Sequence, residues 1–126
     1  MFDYKYIMPV IEIENDDHLS EVVSQYDYVI VDFYINSCQP CKLFAPVYEE
    51  LSNNEKYKNI GFVKVNAYDS NCRDIASEYN VCKFPTFIIL EKSRELLHKP
   101  INGSKDVIQY LDSLVDNLDD NLDEDF

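Results

Sequence analysis

Apolar residues along the chain fall into runs and repeats that predict a series of short elements. Val10 to Ile13 reads as a brief strand, with Pro9 at its start or at an edge position. Leu19, Val22 and Val23 share one face of a helix expected from about Asp17 to Gln25, which Asp16 or Asp17 can cap. Tyr28 to Ile35 is almost unbroken apolar sequence, rich in β-branched and aromatic residues, as expected of a strand covered on both faces. A helical stretch follows to about Ser52, with Leu43, Phe44, Val47 and Leu51 expected inward and Pro46 expected to kink it. Gly61 to Ala67 is the next strand and Cys72 to Tyr79 a short helix, with Asn80 suited to a left-handed stop. Thr86 to Leu90 is a buried strand, and Leu96 to His98 a weaker one beside it. Ser104 is placed to cap a last helix, with Asp106 in its first turn and Val107, Ile108, Leu111, Leu114, Val115 and Leu118 at helical spacing. The order β-α-β-α-β-α-β-β-α implies an α/β sandwich built on one central sheet.

Composition narrows the function. A chain of 126 residues with 46% hydrophobic side chains suits one domain with a substantial core. Its 24 acids outnumber 11 bases, a net of −13, and no cluster of Lys or Arg interrupts them. Phosphate backbones and anionic membranes repel such a polyanion, so neither nucleic acid nor membrane is an expected partner. The charge is uneven: seven acids and no base follow Leu111, leaving 17 acids against 11 bases and a net of −6 before it. Acids at a helix C-terminus oppose the dipole, so the last helix is expected to fray near Leu118. The expected organisation is an extension over residues 1–9, a domain over 10–118 and an acidic flexible tail over 119–126. That tail reads as a solvated segment or as a docking tail for a basic partner. No apolar run is long enough to span a membrane. The N-terminus lacks the basic start of a secretory signal, so the expected site of action is a reducing compartment, the cytoplasm.

Four cysteines bring in chemistry. Cys38-Gln39-Pro40-Cys41-Lys42 lies where a buried strand ends and a helix begins. Free N–H groups and the dipole at a helix start stabilise a thiolate. Cys38 is thus the expected exposed nucleophile. Cys41, one turn further in and shielded, is close enough to form a ring with it. Pro40 fits the first turn, where N–H groups have no helical partner. Asp32 stands inside the apolar run Val29-Ile30-Val31-Asp32-Phe33. A buried acid there can accept and return the Cys41 proton, although a strand-end Asp can equally cap the following turn. Lys64 can partner Asp32 or stand as a surface lysine. Phe84-Pro85-Thr86 opens a buried strand, and sequence alone favours a trans bond there. Cys72 and Cys82 read as small apolar side chains, or as a regulatory second disulfide. No ligand spacing links the cysteines with His18 and His98, so no metal is expected and both histidines read as exposed.

Together these residues resemble the thioredoxin family from about Val10 to Leu118. The matching pieces are Val31-Asp32-Phe33, Cys38-x-Pro40-Cys41-Lys42, Ala45-Pro46, Lys64-Val65-Asn66, Phe84-Pro85-Thr86 and Gly103, in the family's order and spacing. The resemblance implies a thioredoxin fold, with a mixed sheet of four to five strands flanked by about four helices. It implies a cis Pro85 packed against a redox-active Cys38–Cys41 disulfide, which needs no other cofactor. The implied substrate seat comprises Ser37, Gln39, Pro40, Phe84, Pro85, Asn102 and Gly103. The implied chemistry is reduction of protein disulfides: Cys38 attacks, a mixed disulfide forms, and Cys41 resolves it. The implied partners are disulfide-containing proteins and a recycling reductase, with the chain acting as a monomer. Three departures stand out. Ser37 replaces the usual Trp before the first cysteine, and Gln39 replaces the usual Gly after it. The usual Gly of the last hairpin is missing near Ser93, so a longer or differently twisted hairpin is expected. A binding module on the same scaffold, or an oxidase or isomerase, are the competing readings.

Overall fold

A computed structural model of the chain describes residues 10–124; the expected extension over residues 1–9 lies outside them. Strand β1 (Val10–Glu12) leads into helix α1 (Asp16–Val23), followed by β2 (Tyr28–Tyr34) and α2 (Gln39–Ser52). A single 3-10 turn at Glu55–Tyr57 precedes β3 (Ile60–Asn66), and α3 (Arg73–Glu78) leads to β4 (Thr86–Glu91). Strand β5 (Ile101–Asn102) and helix α4 (Val107–Glu124) complete the order. The five strands form one mixed sheet in the order β1-β3-β2-β4-β5. β3 pairs in parallel with both β1 and β2, while β4 runs antiparallel to β2 and to β5. This is the thioredoxin fold that the resemblance implies.

Period-two alternation splits the sheet into two cores. Val29, Val31, Phe33, Val63, Val65, Ile88 and Leu90 join Leu19, Val22, Val23 and Ile75 of α1 and α3 on one face. Ile30, Phe62, Phe87 and Ile89 join Tyr48 and Leu51 of α2 and Leu111 and Leu114 of α4 on the other. Each such fully buried aliphatic side chain stabilises the fold by about 1.5–3 kcal/mol. Successive side chains alternate, so Asp32 and Lys64 share a face with Ile30 and Phe62. A carboxylate therefore occupies a position that the pattern reserves for core.

Several sequence expectations need correction. The α1 cap is Asn15, whose side chain accepts the His18 N–H at 2.8 Å. Leu43 of α2 is 69% exposed and Val47 also faces outward. The inward face instead carries Cys41, Tyr48 and Leu51, with Phe44 partly buried. Tyr48 can occupy the core because its hydroxyl reaches the Val63 carbonyl at 2.7 Å and the Ile30 carbonyl at 3.0 Å. The last regular strand is Ile101–Asn102; Leu96 makes only an isolated bridge to Leu90. Ser104 stands in the turn before α4, its carbonyl accepting the Val107 N–H, so the helix begins after Asp106. That helix continues to Glu124, past the expected fraying point at Leu118 and into the segment expected to be a flexible tail. Each unfavourable dipole interaction costs only about 0.3–1 kcal/mol, too little to end a helix by itself. His18 and His98 are half-buried, and His98 stacks on Tyr110 at 4.5 Å.

The hairpin after β4 answers the missing glycine. Asn80 (φ 57°) takes the left-handed conformation expected of it, and so does Arg94 (φ 70°). A side chain in that region is strained, and Arg94 is held there by several partners. Its Nε donates to the Tyr79 hydroxyl at 3.1 Å, Nη1 to Ser20 Oγ at 2.7 Å and Nη2 to Glu78 at 3.0 Å, and Nη2 also pairs with Asp16.

Candidate active site

The end of β2 and the start of β4 pair through Phe33 and Thr86, so the segments beyond them emerge at the same end of the sheet. One carries Asn36 to Cys41 and the other Phe84-Pro85. Cys38 is the N-cap of α2: its Sγ accepts the Cys41 N–H at 3.2 Å and its carbonyl accepts the Lys42 N–H at 3.2 Å. Pro40 sits in the first turn, as the capping geometry permits. Cys38 and Cys41 form a disulfide with Cα atoms 5.3 Å apart. The expected contrast between an exposed Cys38 and a shielded Cys41 is nearly absent in this oxidised form, where they are 9% and 6% exposed. The bond turns both sulfurs toward each other, and the exposed residues are their neighbours Asn36, Ser37, Gln39 and Pro40.

Asp32 lies behind the disulfide, 6% exposed, with Oδ1 lacking any hydrogen-bond partner. Asp32, Cys41, Lys42, Asn36 and Lys64 line a common pocket of about 150 Å³, with Tyr34 at its wall. Burial is the main force on Asp32 and raises its pKa from 3.8 to about 7, against a lowering by Lys64 and with a further raising by Glu12. Lys64 is the register partner of Asp32 across β2 and β3, but its ammonium is paired elsewhere, with Glu12 at 3.7 Å. The expected Asp32–Lys64 pair is thus a neighbour relation and not a salt bridge. The outer position of Glu12, 45% exposed in its side chain, leaves the lysine's charge nearer water.

Across the site, the Phe84–Pro85 bond is cis, as the resemblance implies. The Gly103 N–H donates to the Pro85 carbonyl at 2.8 Å, and Thr86 Oγ1 lies 3.0 Å from Asn102 Oδ1. Gly103 has φ 82° and open space around its missing Cβ, so conformation and not crowding favours glycine there. The structure therefore brings Pro85, Asn102 and Gly103 together. Phe84 meets Tyr68 edge-on at 6.0 Å, and the two line a groove with Arg73, Ala76, Val81 and Cys82. Cys82 is exposed, while Cys72 is buried with its Sγ 3.4 Å from the Ile13 carbonyl; both are free thiols. Among the described residues no group of three or more His, Cys, Asp or Glu is arranged to hold a metal, and no helix is long and apolar enough to cross a membrane.

Sequence reasoning missed Glu12, Tyr34, Tyr48 and Tyr68. An acid inside the apolar run Val10-Ile11-Glu12-Ile13 was the available signal for the first. The tyrosines carried none beyond their number.

Comparison with known proteins agrees with this geometry. Residues 9–116 match the family model described as Thioredoxin. The chain is 35% identical over 92 residues to a thioredoxin-like protein of Fusarium culmorum, covering 72% of each chain. It is 37% identical over 82 residues to a thioredoxin of Mycoplasmoides gallisepticum, covering 65% of this chain and 78% of that one. It is also similar to a chain in the crystal structure of a complex of ferredoxin:thioredoxin reductase and thioredoxin f2. There the TM-score is 0.73 at 29% identity, covering 84% of this chain and 94% of that one.

Proposed function

The chain belongs to the thioredoxin family and is a thiol-disulfide oxidoreductase, and we propose that it works as a reductase of protein disulfides. The observation that carries this reading is the placement of Cys38 Sγ under the Cys41 N–H at the start of α2, with the unpartnered Asp32 carboxyl in the pocket that Cys41 also lines.

In the reduced protein the Cys38 thiolate keeps that N–H donor and the favourable end of the helix dipole. It attacks one sulfur of a substrate disulfide, forming a Cys38–substrate mixed disulfide and releasing the other sulfur as a thiolate. Asp32, which titrates near neutrality, takes the proton of the Cys41 thiol. The Cys41 thiolate then attacks Cys38 Sγ. The second substrate sulfur leaves as a thiolate and is protonated, and the Cys38–Cys41 disulfide closes. The substrate gains two electrons and the enzyme pair loses two. A second dithiol protein, a recycling reductase, returns them in the reverse sequence. One chain supplies every group this cycle uses, so a monomer suffices.

The substrate polypeptide lies between the rim of Ser37, Gln39 and Pro40 and the opposite wall of Phe84, Pro85, Asn102 and Gly103. The hydrogen bond from Gly103 to the Pro85 carbonyl supports this reading, because it fixes the two parts of that wall together. Ser37 in place of an aromatic residue leaves the rim low beside the thiol, so this chain accepts bulkier segments there. The working compartment is the reducing cytoplasm, consistent with Cys72 and Cys82 standing as separate thiols.

Insulin reduction with dithiothreitol tests the activity: the folded protein accelerates precipitation over the reagent alone, and no acceleration overturns the reading. Equilibration of the Cys38–Cys41 pair with glutathione tests the direction. A reductase pair stays reduced only at a high ratio of reduced to oxidised glutathione; a pair reduced easily by glutathione is that of an oxidase or isomerase.

A further inference from the structure

Glu12, Lys64 and Asp32 occupy one row of the sheet. β1 pairs Glu12 with Lys64, and β2 pairs Asp32 with the same Lys64, so all three side chains leave the sheet on one face. The row runs from the solvent edge to the buried end: Glu12 is exposed, Lys64 half-buried and Asp32 buried. Tyr34, on the same face, donates its hydroxyl to the Glu12 carboxylate, with oxygens at 2.8 and 3.0 Å. The Lys64 ammonium lies 3.7 Å from Glu12 Oε1 and 5.8 Å from the centre of the Tyr34 ring. Glu12 and Tyr34 thus hold the lysine from the outer side, while the inner carboxyl has an oxygen with no partner.

We propose that Glu12 is a positioning residue that sets the proton affinity of Asp32 by holding the Lys64 ammonium away from it. Two carboxylates compete for one cation, and the outer one wins because it stays hydrated and accepts a second hydrogen bond from Tyr34. Asp32 feels the Lys64 charge only at a distance, so burial and Glu12 together keep its proton to a higher pH than burial would beside a freed Lys64. The other titratable or charged groups facing Asp32 are Tyr34 on its own strand and Cys41, Lys42 and Tyr48 on α2; from β4 its register partner is the apolar Phe87. Lys64 is the cation opposite Asp32 in the sheet, so its position adjusts the balance that burial sets. The inference rests on the reading of Asp32 as proton acceptor only for its consequence in catalysis. The geometry itself concerns the row.

The test is a carboxyl ¹³C NMR titration of Asp32 in the oxidised full chain. Removing the Glu12 charge two strands away, at about 10 Å, and freeing Lys64 both favour the ionised form. In Glu12→Gln the Asp32 midpoint falls by about half to one pH unit. Glu12→Asp returns it toward the wild-type value, which a merely structural role for Glu12 does not require. In a Lys64→Gln background the midpoint lies higher, and adding Glu12→Gln lowers it by less than in the wild type. An unchanged midpoint in Glu12→Gln overturns the proposal. So does a shift of full size in the Lys64→Gln background, which would assign the effect to the charge of Glu12 alone. Should Glu12→Gln fail to fold, Tyr34→Phe loosens the same carboxylate, and its midpoint must fall as well. The pH profile of disulfide exchange in Asp32→Asn separates the two levels. If that profile matches the wild type while the NMR shift is as expected, the proton-acceptor reading fails and the positioning by Glu12 stands.

Discussion

Replacing Asp32 by Asn should make the protein more stable at pH 8 and leave it nearly unchanged at pH 4. The reasoning is thermodynamic linkage. The carboxyl titrates near 3.8 when unfolded and at about 7 when folded, chiefly because burial opposes its charge. Between those values the folded state binds the extra proton, so stability falls as pH rises. The contribution is intact below pH 3.8, declines through the interval, and is fully lost above 7. A difference of about three pKa units at about 1.4 kcal/mol each gives a loss of about 4 kcal/mol. Water entering the neighbouring pocket relieves part of the cost, so about 2–4 kcal/mol is the expected gain for Asp32→Asn at pH 8. The amide is close to isosteric, and Oδ1 already lacks a partner, so the neutral side chain loses little. Denaturant unfolding of the oxidised wild type and variant at pH 4, 5.5, 7 and 8.5 measures the difference, in which all other titrations cancel. A gap that does not widen with pH, or a variant less stable at pH 8, refutes the argument that burial governs this carboxyl.

Three further substitutions probe the supports of the site. Tyr48→Phe removes the hydroxyl that reaches the Val63 and Ile30 carbonyls in the core, and should cost about 1–2 kcal/mol in denaturant unfolding. Gly103→Ala forces a side chain into the left-handed region at φ 82°, costing about 1–2 kcal/mol, and should raise KM for a protein disulfide by loosening the Pro85 wall. Arg94→Ala breaks bonds to Tyr79, Ser20, Glu78 and Asp16 while keeping the unfavourable φ; it should lower stability by about 2–3 kcal/mol and leave the insulin-reduction rate of the folded protein unchanged.

What could be read from the chain depended on how local each feature was. Cys38, Pro40 and Cys41 were legible because three residues and a strand-to-helix junction define their geometry. Asp32 was legible because an acid amid Val29, Ile30, Val31 and Phe33 conflicts with its surroundings. The inward face of α2 was not: Leu43 and Val47 are apolar, yet Tyr48 takes the core because two carbonyls from different strands satisfy its hydroxyl. Those carbonyls are distant in sequence. The same holds for Lys64, whose pairing with Glu12 requires the parallel register of β1 with β3, set between segments far apart in sequence. Arg94 shows a third kind of illegibility. A positive φ suggests glycine, and only the assembled partners from α1 and α3 reveal why arginine is held there.

The central claim is that Cys38 attacks a substrate disulfide and Cys41 resolves the adduct. Mixing the reduced Cys41→Ser protein with a disulfide-containing protein tests it directly, with Cys38→Ser alongside because Cys82 is an exposed thiol. The account predicts a dithiothreitol-sensitive covalent adduct through Cys38 in the first variant and none in the second. Absence of an adduct in Cys41→Ser, or equal adducts in both, would contradict it.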